Sequence, residues 1–348
     1  MSKADERSNL FCISSDVLNT IACIGVIALH HNGLVHTYDG GTSGWVQSLV
    51  VECLCYCSVP LFIMLSGANL LGYKERYSTT VFFKKRFIRT VIPWLFWSVV
   101  FLIWNLKTGM LKLEPLNGFT ILDVILNNKV MSVYWFFGSL FGCYLVMPIL
   151  SSLRNERKTL WYLAGISFVF FSCKPILSRW LQVNWSIDIP MGGGLVIFVL
   201  LGYLLTTQTL SRKQRIWLYI LGFAGLSFRF FYTWYWSVRT GITDTSIKGY
   251  VYFHSVLYAL AVFVFFNRID WRKTLPEWLV KRIHSISACS FGIFLIHRKV
   301  MEYESQWLGI GNRQWTWRIL CIPLTYLVCL GIVALIRKIP WIKYTVGG

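Results

Sequence analysis

Apolar residues occur in long runs separated by short polar stretches. A membrane span needs roughly 17–25 mostly apolar residues. Ten runs approach that length: 13–31, 45–71, 91–106, 134–153, 160–177, 192–206, 215–236, 250–267, 285–303 and 316–336. The third and sixth are short, and the ninth is the most polar. The pattern predicts an all-α integral membrane protein of about ten transmembrane helices, forming a single domain over residues 1–348. No stretch leaves room for a separate soluble module. The longest connections, 107–133 and 178–191, are expected to be folded loops.

Composition agrees with that reading. The chain is 55% hydrophobic and only 14% charged, which excludes soluble, disordered and nucleic-acid-binding classes. Net charge is +19, but the basic residues sit in bursts between apolar runs, as membrane topology requires. With the N-terminus in the cytoplasm, the cytoplasmic connections hold 22 Lys and Arg against 11 on the other side. This bias predicts both termini inside. Trp94, Trp135, Trp180 and Trp234 fall near span ends, where an aromatic belt is expected. No small-residue cleavage motif follows the first run, so it is expected to be an uncleaved span. The ten cysteines lie mostly inside apolar runs and are expected to pack as small apolar side chains.

The first run carries the most informative polar residues. No charged residue occurs from Val17 to Thr37, yet Asp16 and Asn19 stand near one end and His30 and His31 at the other. Polar groups at membrane depth are costly and usually functional. At 100° per residue, Asn19 and His30 lie about 20° apart in azimuth and about 16 Å apart along the axis. They therefore share one stripe, whereas His31 points about 100° away from His30. Imidazole is the usual general base near neutral pH, and His30 is the candidate. His36 and Asp39 complete a set that could ligate a metal. The divergence of His30 and His31 argues against that, and no metal is expected.

Two further groups stand out. Glu52 and Arg229 are the ionisable residues placed most clearly within spans. Glu52 is a candidate to orient His30, or else to pair with Arg229 and fix packing. The segment V-F-F-K-K-R-F-I-R-T-V-I-P-W, 81–94, carries Lys85, Arg86 and Arg89 on the side predicted to be cytoplasmic. Arg86 and Arg89 share a helix face, and guanidinium forks suit phosphate. Topological anchoring on lipid headgroups is the other reading of this segment. The chain has no Walker A motif, no G-x-S-x-G elbow, no H-E-x-x-H and no C-x-x-C pair.

Four segments together resemble acyltransferase family 3, the multi-pass bacterial acyltransferases of surface sugars. They are Asp16 to His31, P-L-F-I-M-L-S-G at 60–67, the basic segment from Lys85 to Pro93, and Y-W-F-F-G at 134–138 with S-F-G-I-F-L-I-H at 290–297. The resemblance implies an O-acyltransferase of the bacterial cytoplasmic membrane that uses acyl-CoA, with acetyl-CoA the expected donor. The acceptor it implies is a hydroxyl of a cell-surface polysaccharide or lipid-linked glycan. His30 then matches the family's essential histidine, with Glu52 as its candidate partner. Arg86 and Arg89, with Lys85 and Asn19, match the region that handles the donor. His31, Trp135 and His297 are candidates for acceptor contact. The chain departs from the family at Asn19, where the family has Arg or Lys. The alternative expectation is a glycan export or flippase component without covalent chemistry.

Overall fold

The computed structural model describes residues 3–183 and 193–347, so most of the connection 178–191 and the first residue of the sixth run lie outside the described residues. Among these residues the chain is helical, with no strand. In chain order the helices are α1 (Lys3–His31), α2 (Ser43–Cys55), α3 (Ser58–Leu70), α4 (Thr79–Arg86), α5 (Ile92–Lys107) and α6 (Gly118–Leu126). There follow α7 (Trp135–Ser152), α8 (Arg157–Ser167), α9 (Lys174–Leu181), α10 (Val196–Thr207) and α11 (Arg212–Thr240). The last are α12 (Phe253–Phe266), α13 (Trp271–Thr274), α14 (Glu277–Ser287), α15 (Ser290–Leu308) and α16 (Cys321–Lys338).

Each of the ten apolar runs contains helix. Among the described residues, seven helical stretches are long and apolar enough to cross a membrane, and α14 with α15 makes an eighth if that bent pair is one span. Helices α10 and α12 are apolar but shorter. The connection 107–133 is folded, as expected: Asn117 and Thr120 form a reciprocal cap that starts α6.

Three of the long stretches contain a widened π turn, at Phe87–Val91, Phe168–Cys173 and Thr316–Leu320. Each precedes a proline: Pro93, Pro175 and Pro323. A proline inside a helix clashes with the carbonyl four residues earlier, here Arg89, Phe171 and Ile319. All three carbonyls fall within a widened turn, which absorbs the clash and keeps the helix running.

Among the described residues, the largest apolar cluster draws on α1, α3, α7, α10, α12, α15 and α16. Its tightest crossing is α3 on α10. A Cβ on Gly67 would lie 2.1 Å from the Val199 carbonyl oxygen, and one on Gly202 would lie 2.1 Å from that of Met64. Small residues allow such close backbone approach between membrane helices. Gly202→Val is therefore expected to destabilise by more than the usual overpacking cost of about 1–3 kcal/mol, because backbone has to move. The measurement is the monodisperse fraction after detergent extraction; a normal yield would contradict this packing.

Candidate active site

The lower part of α1 is tied to the break between α14 and α15. These two helices meet at 74°. A broken helix leaves backbone carbonyls and amides unpaired at the break. Asn19 Nδ2 donates to the Ser287 carbonyl and to Ser287 Oγ, each at 2.9 Å. One turn away, His284 Nδ1 lies 3.0 Å from Asp16 Oδ2. Asn19 thus caps the end of α14, while the start of α15 has no side-chain cap.

This break borders a cavity of about 380 Å³, here called the Asn19 cavity. Arg86 and Arg89 line it together with Asn19, Ser287 and Ser290. Ser290 is 2% exposed, and its Oγ is buried without a hydrogen-bond partner, as is Arg86 Nε. Gly347 also lines the cavity, brought there by a 3₁₀ turn, Ile342–Val346, that is fastened by Trp97 Nε1 donating to the Thr345 carbonyl at 2.9 Å. Lys85 is exposed and stands apart from this cavity, its Nζ 4.1 Å from the Tyr77 ring centre.

At the opposite end of α1 lies a second cavity of about 500 Å³, lined by His30. Arg298, Lys299, Glu302 and Asn105 contribute its polar surface. A row of rings separates the two cavities. Phe294 lines the Asn19 cavity, and its ring centre is 5.5 Å from that of His297. His297 is in turn 5.3 Å from His30. His297 Nδ1 lies 2.7 Å from the Phe294 carbonyl oxygen, which can only accept, so Nδ1 carries the proton. Its Nε2 is then an acceptor, and it is buried without a partner. The His30 ring makes no hydrogen bond to another described residue.

The other expected site residues lie elsewhere. His31 is fully buried: its Nε2 is 2.8 Å from Thr325 Oγ1, which donates to Glu304, and its ring packs 4.4 Å from Trp317. Of the two expectations for Glu52, orienting His30 or pairing with Arg229, the structure shows the pair: Glu52 forms an ion pair with Arg229 at 3.4 Å and with Lys248 at 2.7 Å. Lys248 also donates to His36 Nδ1 at 3.1 Å. Burial, and then the Lys248 ammonium, lower the His36 pKa, which keeps that ring neutral and able to accept. The Arg229 guanidinium sits 3.5 Å from the Tyr56 ring centre. Tyr56 stacks on Tyr250 at 4.1 Å and Tyr250 on Trp135 at 5.4 Å, so Trp135 belongs to this second cluster. Among the described residues, no three His, Cys, Asp or Glu side chains gather as metal ligands do.

Sequence reasoning missed Ser290, Asn105 and Arg298. Arg298 directly follows the 290–297 motif, which was the available signal.

The described residues thus form a multi-pass helical bundle with a cavity at each end of α1 and a row of rings, including the paired imidazoles, between them. The acyltransferase domain family matches residues 13–334, and the chain belongs to that family, acyltransferase family 3. A similar protein is Nodulation protein NolL of Mesorhizobium japonicum, 25% identical over 161 residues. That alignment covers 46% of this chain and 40% of the relative's length. No solved structure matches the chain.

Proposed function

We propose that this acyltransferase moves an acetyl group from acetyl-CoA, bound at the Asn19 cavity on the cytoplasmic side, to a glycan hydroxyl at the His30 cavity. The acceptor is a cell-surface polysaccharide or lipid-linked glycan of a bacterial cytoplasmic membrane. The observation that carries this reading is the two-cavity geometry, with the Phe294, His297 and His30 rings leading from one cavity to the other.

The Asn19 cavity suits an anionic donor. Arg86 and Arg89 supply charge, Arg86 Nε and Ser290 Oγ are buried donors without partners, and the N-terminus of α15 adds its partial positive charge. This set supports donor binding where position 19 is neutral. Asn19 contributes by holding the α14–α15 break open. When bound, the donor supplies a thioester carbonyl open to attack. His30 takes the proton of the acceptor hydroxyl as its oxygen bonds the acyl carbon, then returns that proton to the departing sulfur. The His297 ring packs 5.3 Å from His30, its Nε2 an acceptor buried without a partner.

The test is transfer of label from radiolabelled acetyl-CoA to glycan in membranes containing the protein. Label on glycan is expected. Its absence, with lipid-linked glycan accumulating in a deletion strain, would favour export. Arg86→Gln is expected to raise the KM for acetyl-CoA by about 10-fold or more, as loss of a charge-assisted hydrogen bond does. The readout is initial rate against donor concentration, and an unaltered KM would remove Arg86 from the donor site.

A further inference from the structure

We infer that the acceptor carries an anionic group, a carboxylate or a phosphate, close to the hydroxyl that is acylated, and that Arg298 binds it. This deepens the acyl-transfer reading and rests on it. Arg298 follows His297 on α15 and lines the same cavity as His30. It is partly buried and makes no hydrogen bond or ion pair to another described residue. The carboxylate whose field reaches it, Glu302, is already held by Lys299 at 2.8 Å. Lys299 is 8% exposed, and its Nζ also contacts Met110 Sδ at 3.6 Å. Two cations and one carboxylate leave the cavity wall with one uncompensated positive charge.

A guanidinium drawn partly out of water without a counter-charge is costly, and an arriving anion offsets that cost. The planar fork matches carboxylate and phosphate with two parallel hydrogen bonds. The rest of the wall suits a sugar. Asn105 is 7% exposed and its Nδ2 donates to the Val130 carbonyl at 3.0 Å, which leaves Oδ1 buried without a partner. That oxygen can accept from a hydroxyl. A neutral sugar would satisfy Asn105 but leave Arg298 unmatched; an acidic sugar satisfies both. At about 500 Å³ the cavity falls in the range that encloses small ligands.

The test uses the full chain in lipid nanodiscs with radiolabelled acetyl-CoA and three acceptors: methyl glucoside, methyl glucuronide and glucose 6-phosphate. Wild type is expected to favour one of the acidic acceptors over the glucoside by at least about 10-fold in kcat/KM, and which one identifies the anion as carboxylate or phosphate. Arg298→Gln is expected to lower that acidic-to-neutral ratio by about 10- to 100-fold, with Arg298→Lys in between. Equal wild-type rates on neutral and acidic acceptors would overturn the inference. So would an equal loss on all three in Arg298→Gln, which would mark a guanidinium acting on the transition state. A binding arm without donor separates this inference from the reaction itself. Thermal stabilisation of wild type by the glucuronide or phosphate, and not by the glucoside, supports the anion site even if no acceptor is labelled. Stabilisation by neither anion, with no acidic preference in transfer, rejects it.

Discussion

Replacing His30 by alanine is expected to lower acyl transfer by about 10²- to 10⁴-fold while the protein still inserts and folds, the range typical for loss of a general base. The geometry separates the two effects. His30 faces a cavity and makes no hydrogen bond to another described residue, so its removal breaks little. Its neighbour His31 behaves in the opposite way. It is buried, hydrogen-bonded to Thr325, which donates to Glu304, and packs on Trp317, so His31→Ala should cost stability before it costs chemistry. The pair of variants is checked by acetyl transfer per folded molecule, with thermal unfolding measured on the same samples. Normal transfer by the His30 variant would remove its catalytic role. A collapse in folding by that variant would show that its ring is structural.

That contrast was partly legible in the sequence. Helical periodicity alone put Asn19 and His30 on one stripe and His31 off it, because periodicity is local. Most apolar runs likewise matched long helices, as in 134–153 against Ser132–Ser152, but the third, 91–106, covers only the later part of Thr79–Lys107, and the sixth and eighth hold the shorter helices Val196–Thr207 and Phe253–Phe266. Three prolines marked places where helices have to deform, although the pattern of apolar residues does not say that the deformation is a widened turn rather than a stop. The break in the ninth run was not readable. Ser287, Ala288, Cys289 and Ser290 are ordinary helix residues, with neither glycine nor proline among them. Asn19 caps that break from 268 residues away in sequence, a partnership that only the tertiary fold reveals. The second cation on Glu52 was equally hidden. Arg229 could be guessed as an intramembrane partner, but Lys248 comes from the stretch between α11 and α12, outside any apolar run.

This third charge makes Glu52 the site of the second large effect. Glu52 and Arg229 side chains are 8% and 5% exposed, so neither is neutralised by water. Removing one member of a buried pair strands the other, at a cost of about 3–5 kcal/mol. Here Glu52→Ala strands Arg229 against the face of Tyr56 and also releases Lys248 from its carboxylate. The loss is therefore expected at the upper end of that range, and it should reach Trp135 through the Tyr56–Tyr250 stack. Replacing both buried partners, Glu52→Gln with Arg229→Met, is expected to recover much of the stability, since no buried cation then lacks its carboxylate beyond the partly exposed Lys248. Thermal unfolding in detergent reads the stability. Transfer rate per folded molecule reads the alternative in which Glu52 orients His30. If Glu52→Ala left unfolding unchanged but cut kcat as His30→Ala does, the ion pair would be incidental and Glu52 would act on the imidazole. If stability falls and the folded fraction keeps its kcat, the carboxylate is an anchor for α2 against α11, and His30 works without a carboxylate partner.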